Sequence, residues 1–227
     1  MKGTIKMVKF SKEAVDTAKK AAGELAEEIN GLGAMNFSDI PAEGTAMVIV
    51  DAVNGFIREG AMSSKRIESI IPNIVSLMKK CKEKNIPIAA FADCHGEKCA
   101  EFESFPPHCI KGTSESEIVD EIKTEGGYKL IEKNSTNGFH EKEFRDCLEA
   151  NGKSRFIVTG DCTDICVLQF CLSLKTWFTQ KNLQSEIIIP INCVETYDAP
   201  YHEAGFMSLA AYKILKDSGI KFVSEIL

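Results

Sequence analysis

The spacing of apolar residues changes period several times along this chain. Over residues 11–30, Ala14, Ala18, Ala21, Ala22, Leu25 and Ile29 recur at helical spacing with Lys and Glu between them, the pattern of an amphipathic helix. Gly31 and Gly33, followed by Asn36-Phe37-Ser38-Asp39, end it. Beyond residue 44, short apolar runs predict strands at Met47–Asp51, Pro87–Ala92, Lys129–Glu132, Arg155–Thr159, Glu186–Pro190 and Lys221–Ser224. Helical patterns fall between them, near 65–84, 115–124, 141–150, 164–181 and 201–218. Most of the strand runs (MVIV, IAAFA, FIVT, EIII) are continuously apolar rather than alternating. Such runs suit parallel strands buried on both faces. Strand alternating with helix predicts an α/β fold, a doubly wound three-layer sandwich around a mostly parallel six-stranded sheet. Residues 1–44 are expected to form an N-terminal helical extension and residues 45–227 a single α/β domain.

Sites in doubly wound sheets gather at the carboxyl ends of the strands. Asp51 ends the first predicted strand, Asp93 follows the second, Lys133 follows the third, and Cys166 lies just past the fourth. Gly160 breaks that fourth strand, and Thr163 or Asp164 is placed to cap the next helix. Cys166 then falls in the first helical turn, where free N–H groups and the helix dipole favour thiolate over thiol. Singly, each residue has a plain reading: a buried cysteine, a turn aspartate, a solvated lysine. Together the four point to nucleophilic chemistry.

A second cluster lies on the segment after the second strand. Asp93 and His95 are two apart, so an extended backbone turns them to the same side. Glu101 and His108 follow. Carboxylates with imidazoles suit zinc, iron or manganese. Cys94, Cys99 and Cys109 are near enough to compete as ligands or simply to pack, and Glu103 is near enough to replace Glu101. His140 and His202 read as unrelated to this set, His202 as a structural residue early in the last helix.

The composition narrows the partners. The 227 residues carry a net charge of −6 and no basic stripe, which argues against nucleic acid. No apolar run has the length of a membrane span and no signal peptide opens the chain, which argues against a membrane. The nine cysteines are scattered through predicted helices and strands without a CxxC pair. That fits free thiols in a reducing cytoplasm better than a disulfide framework. The oligomeric state is left open, a homo-oligomer included.

Four segments carry a resemblance: VIVDAVNGF (48–56), FADCHGEKCAEFESFPPHC (91–109), EKNSTNGF (132–139) and VTGDCTDICV (158–167). With them the chain resembles the isochorismatase-like cysteine hydrolases, and within that family the nicotinamidases. The resemblance implies a triad of Asp51 as general base, Lys133 as orienting cation and Cys166 as nucleophile. It implies an oxyanion hole from the backbone N–H groups of Cys162 and Cys166, and a cis peptide between Asp161 and Cys162. It assigns Asp93, His95, Glu101 and His108 to a divalent metal, zinc first and iron or manganese otherwise. That metal binds the pyridine nitrogen of nicotinamide while the thiolate attacks the amide. Asn54 stands where many members carry Gln, and Phe105 where a tryptophan is common. Phe56, Phe105 and Phe139, with Asn54, are expected to line the substrate slot. The implied reaction converts a small amide, nicotinamide, to nicotinate and ammonia in NAD salvage. Related hydrolases that act on ureidoacrylate, carbamoylsarcosine or maleamate are the nearest alternative, and a non-catalytic thiol or metal-binding module a remoter one. A nucleotide-binding domain is disfavoured because Asp51-Ala52-Val53-Asn54-Gly55 stands where a G-x-G-x-x-G loop belongs.

Overall fold

The computed structural model describes residues 11–227. Six strands form one sheet: β1 (Thr45–Val50), β2 (Ile88–Asp93), β3 (Tyr128–Lys133), β4 (Arg155–Gly160), β5 (Glu186–Pro190) and β6 (Lys221–Val223). Their order is β3-β2-β1-β4-β5-β6 and every neighbouring pair is parallel. All six predicted strands are present, in a sheet that is wholly rather than mostly parallel. The eight α-helices of the described residues are α1 (Lys12–Asn30), α2 (Asn54–Ile57), α3 (Lys65–Glu68), α4 (Ile71–Glu83), α5 (Asp120–Glu125), α6 (Lys142–Asn151), α7 (Leu168–Gln180) and α8 (Ala204–Asp217). None is long and apolar enough to cross a membrane.

The continuous apolar runs are explained by two cores, one on each face. Met47 and Ile49 of β1 point into the core that holds Ile71, Ile74 and Met78 of α4 and Ile122 of α5. Val48 and Val50 point into the other, with Phe144 of α6, Phe170 and Leu174 of α7 and Leu215 of α8. A strand that buries both sets of side chains has no polar face to alternate with. Helix α1 begins at a Ser11 cap that accepts from the Ala14 N–H at 3.1 Å. Its last turns lean on α8: Leu25 and Ile29 reach the second core, and the Tyr212 hydroxyl donates to Glu28 at 2.6 Å. The first ten residues of the expected extension lie outside the described residues.

Several helices differ from their predicted spans. The 65–84 segment divides into α3 and α4 because Pro72 has no N–H to carry the ladder through. Of 115–124 only the part from Asp120 is α-helical, after a 3₁₀ turn at Ser114–Ser116. The stretch before it is drawn out against the loop after β1, with Asn54 N–H donating to Glu117 at 2.9 Å and Val119 N–H to Ala52 at 3.0 Å. The last helix starts at Ala204 under a Glu203 cap, so His202 precedes it.

Strand order reverses between β1 and β4, which opens a crevice at their carboxyl ends. Two backbone features mark this point. Asp51 adopts φ 52°, the left-handed region that only a few non-glycine residues tolerate and that is found at functional sites. Gly160 adopts φ 108°, and a Cβ there would lie 1.9 Å from the Val50 carbonyl oxygen. Only glycine lets β4 pass this close to β1.

Candidate active site

Lys133 is the hub of the crevice. Its ammonium lies 2.9 Å from Asp51 Oδ2 and 2.7 Å from Asp93 Oδ1. It donates to the Ser135 carbonyl at 2.9 Å and stands 4.0 Å from Cys166 Sγ. The β2–β3 register sets Asp93 beside Lys133. Lys133, Asp51 and Asp93 are all buried. Burial alone would pull the lysine pKa down; the charges of Asp51 and Asp93 reverse this and hold it well above its ordinary value. Asp51 goes the other way. Burial dominates over the attraction of Lys133, and its pKa is pushed up to about 6.

Cys166 sits where the strand-end reading puts it, but in a different turn. Thr163–Val167 form a π turn ahead of α7, closed by a 3.1 Å bond from the Val167 N–H to the Cys162 carbonyl. Neither Thr163 nor Asp164 caps a helix; the N-cap position is Cys162 and no side chain bonds there. The thiol is 6 % exposed. Burial pushes its pKa well above the ordinary cysteine value, and Lys133 only partly offsets this. Burial thus works against the thiolate that the helix-start position favours, which gives the thiol a use for a neighbouring base. The Asp161–Cys162 peptide is cis. The Cys162 N–H finds no acceptor among the described residues.

Beside this group, four donor atoms from Asp93, His95, Glu101 and His108 all lie within 4.8 Å of one another. Both imidazole Nε2 atoms converge on Asp93 Oδ2, at 2.9 Å for His95 and 3.0 Å for His108. Glu101 Oε1 is 3.8 Å and 3.7 Å from the same two nitrogens. The other ring nitrogens are committed: His95 Nδ1 to Asn134 Oδ1 at 3.0 Å and His108 Nδ1 to the Pro106 carbonyl at 2.7 Å. With Nδ1 donating, a neutral ring presents a bare lone pair at Nε2. Nitrogens facing carboxylate oxygens at this distance carry either a proton or a shared cation between them, and the two-His, two-carboxylate set fits a divalent metal. Of the competing thiols, Cys99 Sγ lies 3.3 Å from His95 Nδ1, the nitrogen turned away from the cluster, and Cys109 is buried.

A narrow cavity connects the two groups. It is lined by Phe56, Met62, Asp93, Glu101, Phe105, His108, Thr136, Cys162, Ile165 and Cys166. Phe56 and Phe105 are on its wall as expected. Phe139 is not: its ring packs 6.2 Å from Phe144 in the core. Asn54 is not either, because its side-chain amide donates to the Ser114 carbonyl at 3.1 Å. Met62, Thr136 and Ile165 were not anticipated. Thr136 and the His95 partner Asn134 follow Lys133 directly, so the strand-end rule reaches them. Met62 comes from a loop with no sequence signal.

Comparison with known proteins agrees with this geometry. Residues 45–216 match the isochorismatase domain model. Nicotinamidase 1 of Arabidopsis thaliana is 32 % identical over 177 residues, covering 70 % of this chain and 72 % of that protein. The pyrazinamidase of Pyrococcus horikoshii, solved in complex with zinc, superposes with a TM-score of 0.66 at 25 % identity, covering 79 % of this chain and 98 % of its own. A nicotinamidase of Bacillus subtilis shares the fold, with a TM-score of 0.67 at 23 % identity over 80 % of this chain and 99 % of its own. Strand order, crevice and a domain match over most of the chain lead to one conclusion: this protein belongs to the isochorismatase-domain family.

Proposed function

We propose that this family amidohydrolase is a nicotinamidase, converting nicotinamide and water to nicotinate and ammonia. The observation that carries the reading is the juxtaposition, across one narrow cavity, of the Asp51–Lys133–Cys166 group and the four-donor cluster. Asp51 takes the thiol proton of Cys166, and the sulfur attacks the amide carbon. Lys133 stays charged and holds the carboxylate against the sulfur. The N–H groups of Cys162 and Cys166 receive the tetrahedral oxyanion. Asp51 returns its proton to the departing ammonia, then draws one from the water that cleaves the thioester. Phe56 and Phe105 flank a flat ring. A divalent metal, zinc foremost, would be held by Asp93, His95, Glu101 and His108, and when bound supplies a Lewis-acid anchor for the pyridine nitrogen.

Ammonia release from a panel of amides tests the assignment. Nicotinamide is expected to lead ureidoacrylate, carbamoylsarcosine and maleamate; preference for one of these over nicotinamide rejects it. Metal removal separates the two groups. His108→Ala, or stripping with a chelator, is expected to lower nicotinamide turnover by about 10- to 100-fold. Alkylation of Cys166 by iodoacetamide should persist, because the thiol and its base do not need the anchor. Unchanged nicotinamide turnover in fully stripped protein would reject the anchoring role.

The acidity of Asp51 sets a pH dependence. The base must be ionised, so kcat/KM should fall tenfold per pH unit below a midpoint near 6. A midpoint near the ordinary aspartate value of about 4 would show that burial does not control this carboxyl.

A further inference from the structure

Asp164 stands two residues before Cys166 and does not do what its position in the chain suggests. Its side chain is only 3 % exposed. Instead of turning to the first N–H groups of α7, both oxygens reach across to the segment 194–203 that follows β5. Oδ1 accepts from the Thr196 hydroxyl at 2.6 Å. Oδ2 accepts from His202 Nε2 at 2.8 Å. Thr196 is fully buried. The other ring nitrogen of His202 faces the Tyr197 carbonyl at 2.9 Å, and the imidazole stacks on the Tyr197 ring at 4.0 Å and 5°. A carboxylate and a carbonyl are both pure acceptors, so His202 donates from both nitrogens and is an imidazolium. Burial opposes that charge, but the bonds to Asp164 and Tyr197 outweigh it and raise the His202 pKa.

The same segment is fastened to the turn on its other side. The Thr163 N–H donates to the Glu195 carbonyl at 3.0 Å. Arg66 of α3 grips Glu195 at 3.2 Å and Asp198 at 3.6 Å. The Cys166 turn is thus clamped at two successive residues, Thr163 and Asp164, by one strap. A π turn is a local departure from the regular helix that needs outside support, and a buried carboxylate needs a countercharge. Thr196 and His202 supply both.

We propose that Asp164, held by Thr196 and His202, is a positioning residue that fixes the π turn so that Cys166 meets Lys133 and Asp51. The proposal rests on Cys166 being the nucleophile. A displacement of about 1 Å at a reacting atom costs roughly 100-fold in rate. Thr196→Val and Asp164→Asn are therefore expected to lower kcat on nicotinamide by about 100-fold while KM stays within about threefold, since neither residue touches the cavity. Thr196→Ser keeps the hydroxyl and should recover most of the loss. His202→Phe keeps the stacked ring without its donors and should resemble Asp164→Asn. Iodoacetamide alkylation of Cys166, located by tandem mass spectrometry, should slow in the same order. That readout needs no substrate, so it decides the proposal even if nicotinamide proves not to be turned over. Equal losses in Thr196→Ser and Thr196→Val overturn it. So does an Asp164→Asn protein with a lowered melting temperature but wild-type kcat and alkylation rate.

Discussion

Cys166→Ala is expected to reduce amide turnover by about 10⁴-fold or more, the scale seen when a nucleophile is removed from a working triad. Melting temperature should change little, because the substitution deletes one sulfur atom on the wall of an existing cavity. The sharper content of this prediction lies in the second thiol on the cavity. Cys162 also lines it and is 5 % exposed. Its nearest carboxyl oxygen is Asp161 Oδ2, 4.0 Å away. Asp161 is fully buried and its other oxygen has no hydrogen-bond partner among the described residues. Burial, with the nearby charge of Asp51, pushes its pKa well above the aspartate range and disfavours its ionised form. Burial likewise pushes the Cys162 thiol up, and the Lys133 ammonium stands by Cys166. Cys162→Ala should therefore keep most of the turnover that Cys166→Ala loses. Ammonia release from the two variants, with thermal unfolding as control, is the measurement. The opposite ranking would move the nucleophile to Cys162.

Lys133→Met is expected to cost both stability and catalysis. The substitution keeps the length and apolar stem of the side chain and removes only the ammonium. Asp51 and Asp93 then lose the cation that lies 2.9 Å and 2.7 Å from them. Breaking one partner out of a buried ion cluster costs about 3–5 kcal/mol. Denaturant unfolding should report a loss in that range. Apart from the Cys166 thiol, Asp51 has no other hydrogen-bond partner among the described residues, so it would escape by taking a proton, and a protonated Asp51 cannot accept one from Cys166. Turnover should fall by about 10²- to 10⁴-fold, the usual contribution of a general base. Cys166 alkylation near neutral pH should slow with it. Wild-type unfolding free energy in Lys133→Met would mean that water, rather than this lysine, solvates the two carboxylates.

Much of the architecture was legible because burial on both faces leaves a local mark. The runs at 47–50, 88–92, 156–158 and 187–189 are apolar throughout, and each became part of a strand of a wholly parallel sheet. The meeting of Asp51, Asp93, Lys133 and Cys166 was legible for a topological reason: parallel strands all present their carboxyl ends on one edge. The Asp93, His95, Glu101 and His108 set was legible from donor chemistry and spacing, and the four donors do converge. The helix ends were less so. Pro72 divides a pattern whose periodicity runs straight through it, and the stretch before Asp120 is claimed by backbone bonds to the loop after β1.

The sequence by itself determined the class of fold, the edge on which reactive side chains gather and the residue types that gather there. These follow from periodicity and from rules that hold for any doubly wound sheet. Only the tertiary structure decided how those side chains behave. Cys166 carries a helix-start signature that favours thiolate, yet its neighbours remove water and work against it. Asp164 looks like a cap, yet partners more than 30 residues away claim both its oxygens. Phe139 and Asn54 look like pocket residues, yet packing turns one into the core and a carbonyl holds the other aside. Desolvation, ion pairing and side-chain direction depend on which distant segments pack together, and no local pattern in the chain encodes that.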